Sequence, residues 1–104
     1  MERIAFKMKL LPASLKEYIK RHNEIWPELE GLLKEKGITD YSIFHDDSTR
    51  ILFGYLKIEN EHVLDTLSKE NIMRRWWSYM KDLMETNPDD SPVTVRLNEV
   101  FYLK

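Results

Sequence analysis

The chain has 104 residues, enough for one modest hydrophobic core, so residues 1–104 are expected to fold as a single domain. Hydrophobic residues make up 42% and charged residues 33%, and 16 basic against 18 acidic side chains are well mixed, which leaves no electrostatic footprint for nucleic acid or an anionic membrane. No apolar run approaches the roughly 20 residues of a membrane span, and the absence of cysteine excludes a disulfide framework, a thiolate nucleophile and a zinc–thiolate site, so the cytoplasm is the expected location.

The N-terminus, MERIAFKMKLLPAS, is interrupted by charge too often for a signal peptide. It reads as a strand instead: Ile4, Phe6, Met8 and Leu10 alternate with Arg3, Ala5, Lys7 and Lys9. Pro12 suits a helix start, and Leu15, Tyr18, Ile19, His22 and Trp26 then recur at helical spacing along one face. Pro27 disfavours helix at Trp26, so a kink or restart is expected there, with the second segment stopping at Gly37.

Tyr41–His45 and Arg50–Ile58 read as strands joined by the turn-rich Asp46-Asp47-Ser48-Thr49. Asn60 suits the cap of a short helix carrying Val63, Leu64 and Leu67. A longer helix starts at Ser68 or Asn71 and places Ile72, Trp76, Met80 and Met84 at intervals of four, until Asn87–Pro92 breaks it. Val93–Leu97 and Val100–Tyr102 form the last strand, bulged near Asn98. The order β-α-β-β-α-β predicts an α+β, ferredoxin-like (split β-α-β) fold, a four-stranded antiparallel sheet with helices on one face. Both alternation sets of Ile51–Ile58 contain large apolar residues, so the other face stays apolar and uncovered. A homodimer, sheet against sheet, is the expected solution.

Two aromatic-rich stretches hold the candidate chemistry, Tyr18–Glu30 and Arg74–Pro92. His22 leads, because imidazole can give or accept a proton near neutral pH, and Tyr18 lies one turn earlier on the same face. Spacing alone favours a packing histidine beside core aromatics. Trp76 and Trp77 diverge by about 100° on a helix, so one can enter the core while the other edges a pocket. Indole faces suit the C–H-rich faces of sugars, yet paired tryptophans are more often core and interface. Tyr41 offers a hydroxyl from the second strand, a residue that is usually structural. His45 and His62 are weaker candidates, the three histidines show no metal-ligand spacing, and three glycines build no phosphate loop.

Taken together, EYIKRHNEIWPELE, RRWWSYM, NPDDSP and the ending EVFYLK, with the opening RIAFKMKL, resemble the L-rhamnose mutarotase family over essentially the whole chain. The resemblance implies a dimeric ferredoxin-like domain of the dimeric α/β barrel type. It also implies an isomerase that interconverts the α and β anomers of L-rhamnose without a cofactor, in rhamnose catabolism. It assigns His22 as proton donor and Tyr18, Tyr41, Trp76 and Trp77 to substrate binding. Trp26 is then left as a packing residue beside the Pro27 restart. Two rival readings stand beside it: a small monooxygenase or haem-degrading enzyme on the same dimeric architecture, and a non-catalytic sugar-binding module.

Overall fold

Alternation in the first strand decides which side of the sheet becomes the core. In the computed structural model, which describes residues 1–104, β1 (Glu2–Lys9) turns Ile4 and Met8 into the interior and leaves Lys9 exposed. The chain continues through α1 (Leu15–Asn23), α2 (Pro27–Glu35), β2 (Ile38–Asp46), β3 (Ile51–Ile58), a 3-10 segment (Glu61–Lys69), α3 (Asn71–Met80) and β4 (Val95–Leu97). The strands form one antiparallel sheet in the order β2-β3-β1-β4, the ferredoxin-like topology. No helix is long and apolar enough to cross a membrane.

Local signals set most boundaries. Trp26 is extended, as a residue before proline prefers, and α2 restarts at Pro27, whose missing amide proton costs nothing in a first turn. Gly37 closes α2 at φ 86°, a left-handed conformation that a side chain resists. Asn60 caps the 3-10 segment by accepting from the His62 amide at 3.0 Å. α1 starts at Leu15 rather than at Pro12.

Three expectations are corrected. β2 begins at Ile38, not Tyr41, and contains a bulge: Thr39 pairs with Lys57 and Ser42 with Tyr55, so Asp40 and Tyr41 together oppose Leu56. Asp40 takes up the extra residue at φ 50°. Second, α3 ends at Met80; Leu83 and Met84 stay buried because the chain turns and pairs with the end of β1, where Leu11 N–H donates to the Leu83 carbonyl at 2.9 Å and Glu85 N–H to that of Lys9 at 3.0 Å. Third, the last strand is only Val95–Leu97, paired with Ala5–Lys7. Glu99 meets Arg3 side chain to side chain at 2.7 and 2.9 Å, but β1 begins at Glu2, so Val100–Leu103 find no strand to pair with and lie exposed.

The inner face of the sheet carries two cross-strand rows, Ile43–Gly54–Phe6–Arg96 and His45–Leu52–Met8. Met8, Leu10, Tyr18, Leu29, Leu52, Met73, Trp76, Met80, Leu83 and Met84 form the main core between this face and the helices. Ile4, Ile38, Leu56 and Ile58 form a second core at the other end. The outer face carries the row Phe44–Phe53–Lys7–Val95, with Phe44 66% and Val95 50% exposed.

Arg21 fastens α1 to the end of α3. Its guanidinium donates to Glu17 at 2.8 Å, to the Tyr79 carbonyl at 2.6 Å, and through a fork to both Asp82 oxygens at 2.9 and 3.2 Å, while stacking over the Tyr79 ring at 4.4 Å. These bonds hold the Asp82 carboxyl below its ordinary pKa. Because Glu17 is partly and Asp82 largely exposed, solvent screens part of the gain. Arg21→Ala is expected to cost about 1–2 kcal/mol, and Arg21→Lys nearly as much, since an ammonium cannot reproduce the fork. Thermal unfolding checks both values.

Gly54 is required by a close approach: a Cβ there would lie 2.5 Å from Phe6 Cζ. The Phe6 ring crosses the bare glycine and meets Tyr41 edge-on at 6.3 Å. Gly54→Ala is therefore expected to destabilise the protein by about 1–3 kcal/mol and to shift the ring resonances of Phe6 and Tyr41. Urea unfolding and aromatic NMR spectra test this.

Candidate active site

Between the inner sheet face and the helices lies a mainly apolar cleft of about 1520 Å³, whose lining includes Tyr18, His22, Tyr41, Trp76 and Trp77. The structure thus gathers on one cavity all five side chains that the sequence nominates. Each reaches it for a local reason. Tyr18 and His22 stand one turn apart on α1, with ring centroids 4.2 Å apart and planes tilted by 31°. Trp76 and Trp77 leave α3 in different directions, Trp76 into the core at 6% exposure and Trp77 half-buried. The bulge at Asp40–Tyr41 reverses the alternation of β2, so Tyr41 shares the cleft with Ile43 and His45.

His22 is tuned by two contacts. Its Nδ1 lies 3.1 Å from the Tyr18 carbonyl oxygen, which can only accept, so Nδ1 carries the ring proton and Nε2 is left for the cleft. Desolvation by burial lowers its pKa below the ordinary 6.5 and outweighs the opposing effect of that hydrogen bond. Near neutral pH the ring is therefore neutral, with a lone pair on Nε2.

The tyrosines are held as proton-bearing phenols. Burial of Tyr18, only 5% exposed, raises its pKa, and the nearby Tyr41 hydroxyl adds to the effect. Tyr41 differs: the residue is 40% exposed, yet burial about its hydroxyl pushes its pKa up to about 12. Both hydroxyls can donate to an oxygen that gains negative charge.

Aromatic contacts fix the wall. Trp76 meets His22 edge-to-face at 5.5 Å and 89°, and is backed by Trp26 at 5.1 Å and 87°. Tyr79 closes the cluster at 5.5 Å from Trp26 and 5.7 Å from Trp76. Trp26 caps α2 and packs behind Trp76 without lining the cleft, in line with its expected packing role.

Some cleft residues carried only weak signals in the sequence. Asp90, in the loop after α3, lines the cleft while accepting from Ser78 Oγ at 2.8 Å; its neighbour Asp89 does not line it. His45 ranked low, yet it lies on the cleft wall, whereas His62 is exposed and remote. Period-2 spacing from Tyr41 through Ile43 would have placed His45 there. No three His, Asp or Glu side chains are grouped to hold a metal ion.

The sequence profile described as L-rhamnose mutarotase matches residues 3–103. An L-rhamnose mutarotase of Clostridium beijerinckii is 52% identical over 100 residues, covering 96% of both chains. One from Jannaschia is 52% identical over 103 residues and 99% of both. The crystal structure of an L-rhamnose mutarotase from Formosa agariphila superposes over 100% of both chains with a TM-score of 0.93 at 44% identity. An antibiotic biosynthesis monooxygenase superposes with a TM-score of 0.62 at 13% identity, covering 96% of this chain and 99% of that one, which is a likeness of fold alone. With its profile match, its relatives and its architecture in agreement, the chain belongs to the L-rhamnose mutarotase family.

Proposed function

We propose that the protein is an isomerase that interconverts the α and β anomers of L-rhamnose by general acid–base catalysis, in the cytoplasm and in support of rhamnose catabolism. The observation that carries this reading is the stacked Tyr18–His22 pair on the cleft lining, with His22 neutral, its Nδ1 proton directed to the Tyr18 carbonyl, and Trp76 packed edge-on against its ring.

The chemistry follows from the substrate. The anomeric hydroxyl oxygen and the ring oxygen are bonded to the same carbon, so one imidazole nitrogen can reach both. Nε2 of His22 takes the proton of the anomeric hydroxyl. The C–O bond to the ring oxygen breaks as the aldehyde forms, and the imidazolium returns its proton to the released oxygen. The proton donation that family resemblance assigns to His22 is then its second step. Tyr18 and Tyr41, kept as phenols, donate hydrogen bonds to the oxygen that gains charge. Rotation about the bond between the first two carbons presents the other carbonyl face, and the same steps in reverse close the ring. Trp76 and Trp77 hold the apolar face of the sugar without blocking that rotation.

A second copy completes the molecule in this reading. The outer row Phe44–Phe53–Lys7–Val95 and the exposed tail Val100–Leu103 present apolar surface that pairing of two sheets would cover. The protein is expected to sediment at twice its chain mass, and Phe44→Glu to shift it to monomer. A monomeric wild type at micromolar concentration would remove this part of the proposal.

Saturation-transfer NMR on the anomeric protons of L-rhamnose tests the reaction. The protein is expected to accelerate exchange, and a folded His22→Ala variant to lose roughly 10²–10⁴-fold. Near-wild-type exchange in that variant would sink the assignment. Since the first step needs neutral His22, kcat/KM should sit on a plateau at neutral pH and fall as pH drops through the lowered histidine pKa.

A further inference from the structure

His45 does not enter the steps above, although its surroundings are unusual for a packing residue. It stands on the inner face of β2, cross-strand from Leu52, and lines the same cleft as Tyr18, His22 and Trp76. Its side chain is 14% exposed. Nδ1 lies 2.9 Å from Asp47 Oδ1, and a carboxylate only accepts, so this nitrogen carries the proton. Nε2 is then a lone-pair acceptor. It is fully buried and has no hydrogen-bonding partner in the protein.

A buried acceptor left unpaired is costly, and an apolar side chain of similar size would avoid the cost. Asp47, 91% exposed, does not need the histidine for its own solvation, so the pair works to orient the ring and set its tautomer. What remains is an unpaired acceptor, fixed in direction, just beneath the surface of a residue that lines the cleft. We infer that His45 is a specificity-determining residue whose Nε2 accepts a hydrogen bond from a hydroxyl group of the bound sugar. The inference rests on the mutarotase reading for the identity of that sugar. An acceptor of this kind selects an O–H and gives nothing to an ether oxygen or a methyl group, so it reads the hydroxyl pattern of the substrate and leaves the proton transfers to His22.

The test measures Kd for L-rhamnose by calorimetry, together with anomer exchange and the melting temperature, on the full-length protein. His45→Leu is expected to raise Kd about tenfold, to leave kcat within about twofold, and to leave the melting temperature unchanged or higher, because the unpaired polar atom is gone. His45→Gln, which restores an acceptor, should recover most of the affinity. Asp47→Ala, an exposed change that leaves the core intact, should raise Kd roughly threefold by freeing the ring. Unchanged Kd in both His45→Leu and Asp47→Ala overturns the inference, as does a lower melting temperature in His45→Leu with no loss of affinity. A wild type that binds L-rhamnose without accelerating exchange would refute the catalytic reading and leave the His45 affinity test standing. A wild type that does not bind it refutes both.

Discussion

The relation between α1 and α3 governs the site, and the Arg21 guanidinium sets it. Every proton-handling group proposed on a helix sits on α1, whereas the tryptophan wall belongs to α3. Arg21 reaches from the residue beside His22 to the Tyr79 carbonyl and both Asp82 oxygens, where α3 ends. A planar fork with several donors fixes distance and orientation together, which a point charge cannot do. The rings follow: His22 stands edge-on to Trp76, and Tyr79, under the guanidinium, closes the cluster through Trp26.

Burial sets the chemistry within that frame. The same low-dielectric surroundings depress the histidine and raise the tyrosines, which drives the groups toward neutral forms of opposite use, one an acceptor and two donors. Proton-handling groups held in neutral forms suit a reaction whose substrate, intermediate and product are all uncharged overall. In the proposed mechanism, holding is separate from reacting, because flat aromatic faces grip C–H surface while leaving the hydroxyls to specific partners.

The parts legible in the sequence are those dictated by neighbours in the chain. Alternation in Ile4–Leu10, the proline restart at Pro27, the Gly37 stop and the Asn60 cap all depend on local backbone physics, and the structure places each where that physics directs. The end of α3 was not legible, because Leu83 and Met84 keep helical spacing while their backbone pairs with residues near Leu10. The extent of β4 depends on where β1 runs out. Within the site, Tyr18–His22 and Trp76–Trp77 could be nominated from helical spacing. Their convergence on Tyr41 could not, since it depends on a bulge that no periodicity announces, and Arg21 finds its partners far along the chain.

That bulge has a consequence for how the second strand can vary. On either side of Asp40–Tyr41, successive side chains of β2 belong to opposite worlds: Phe44 to the outer face, Ile43 and His45 to the cleft, Ile38 to the core. Residues 38–46 therefore behave like a phased message, with the extra residue as the frameshift that keeps both halves in register. Exchanges of one side chain for another act locally and by degrees. Losing or gaining a single residue acts on the whole strand, because either Ile38 leaves the core or the cleft wall turns to face outward. Within this segment, length is under tighter physical control than composition.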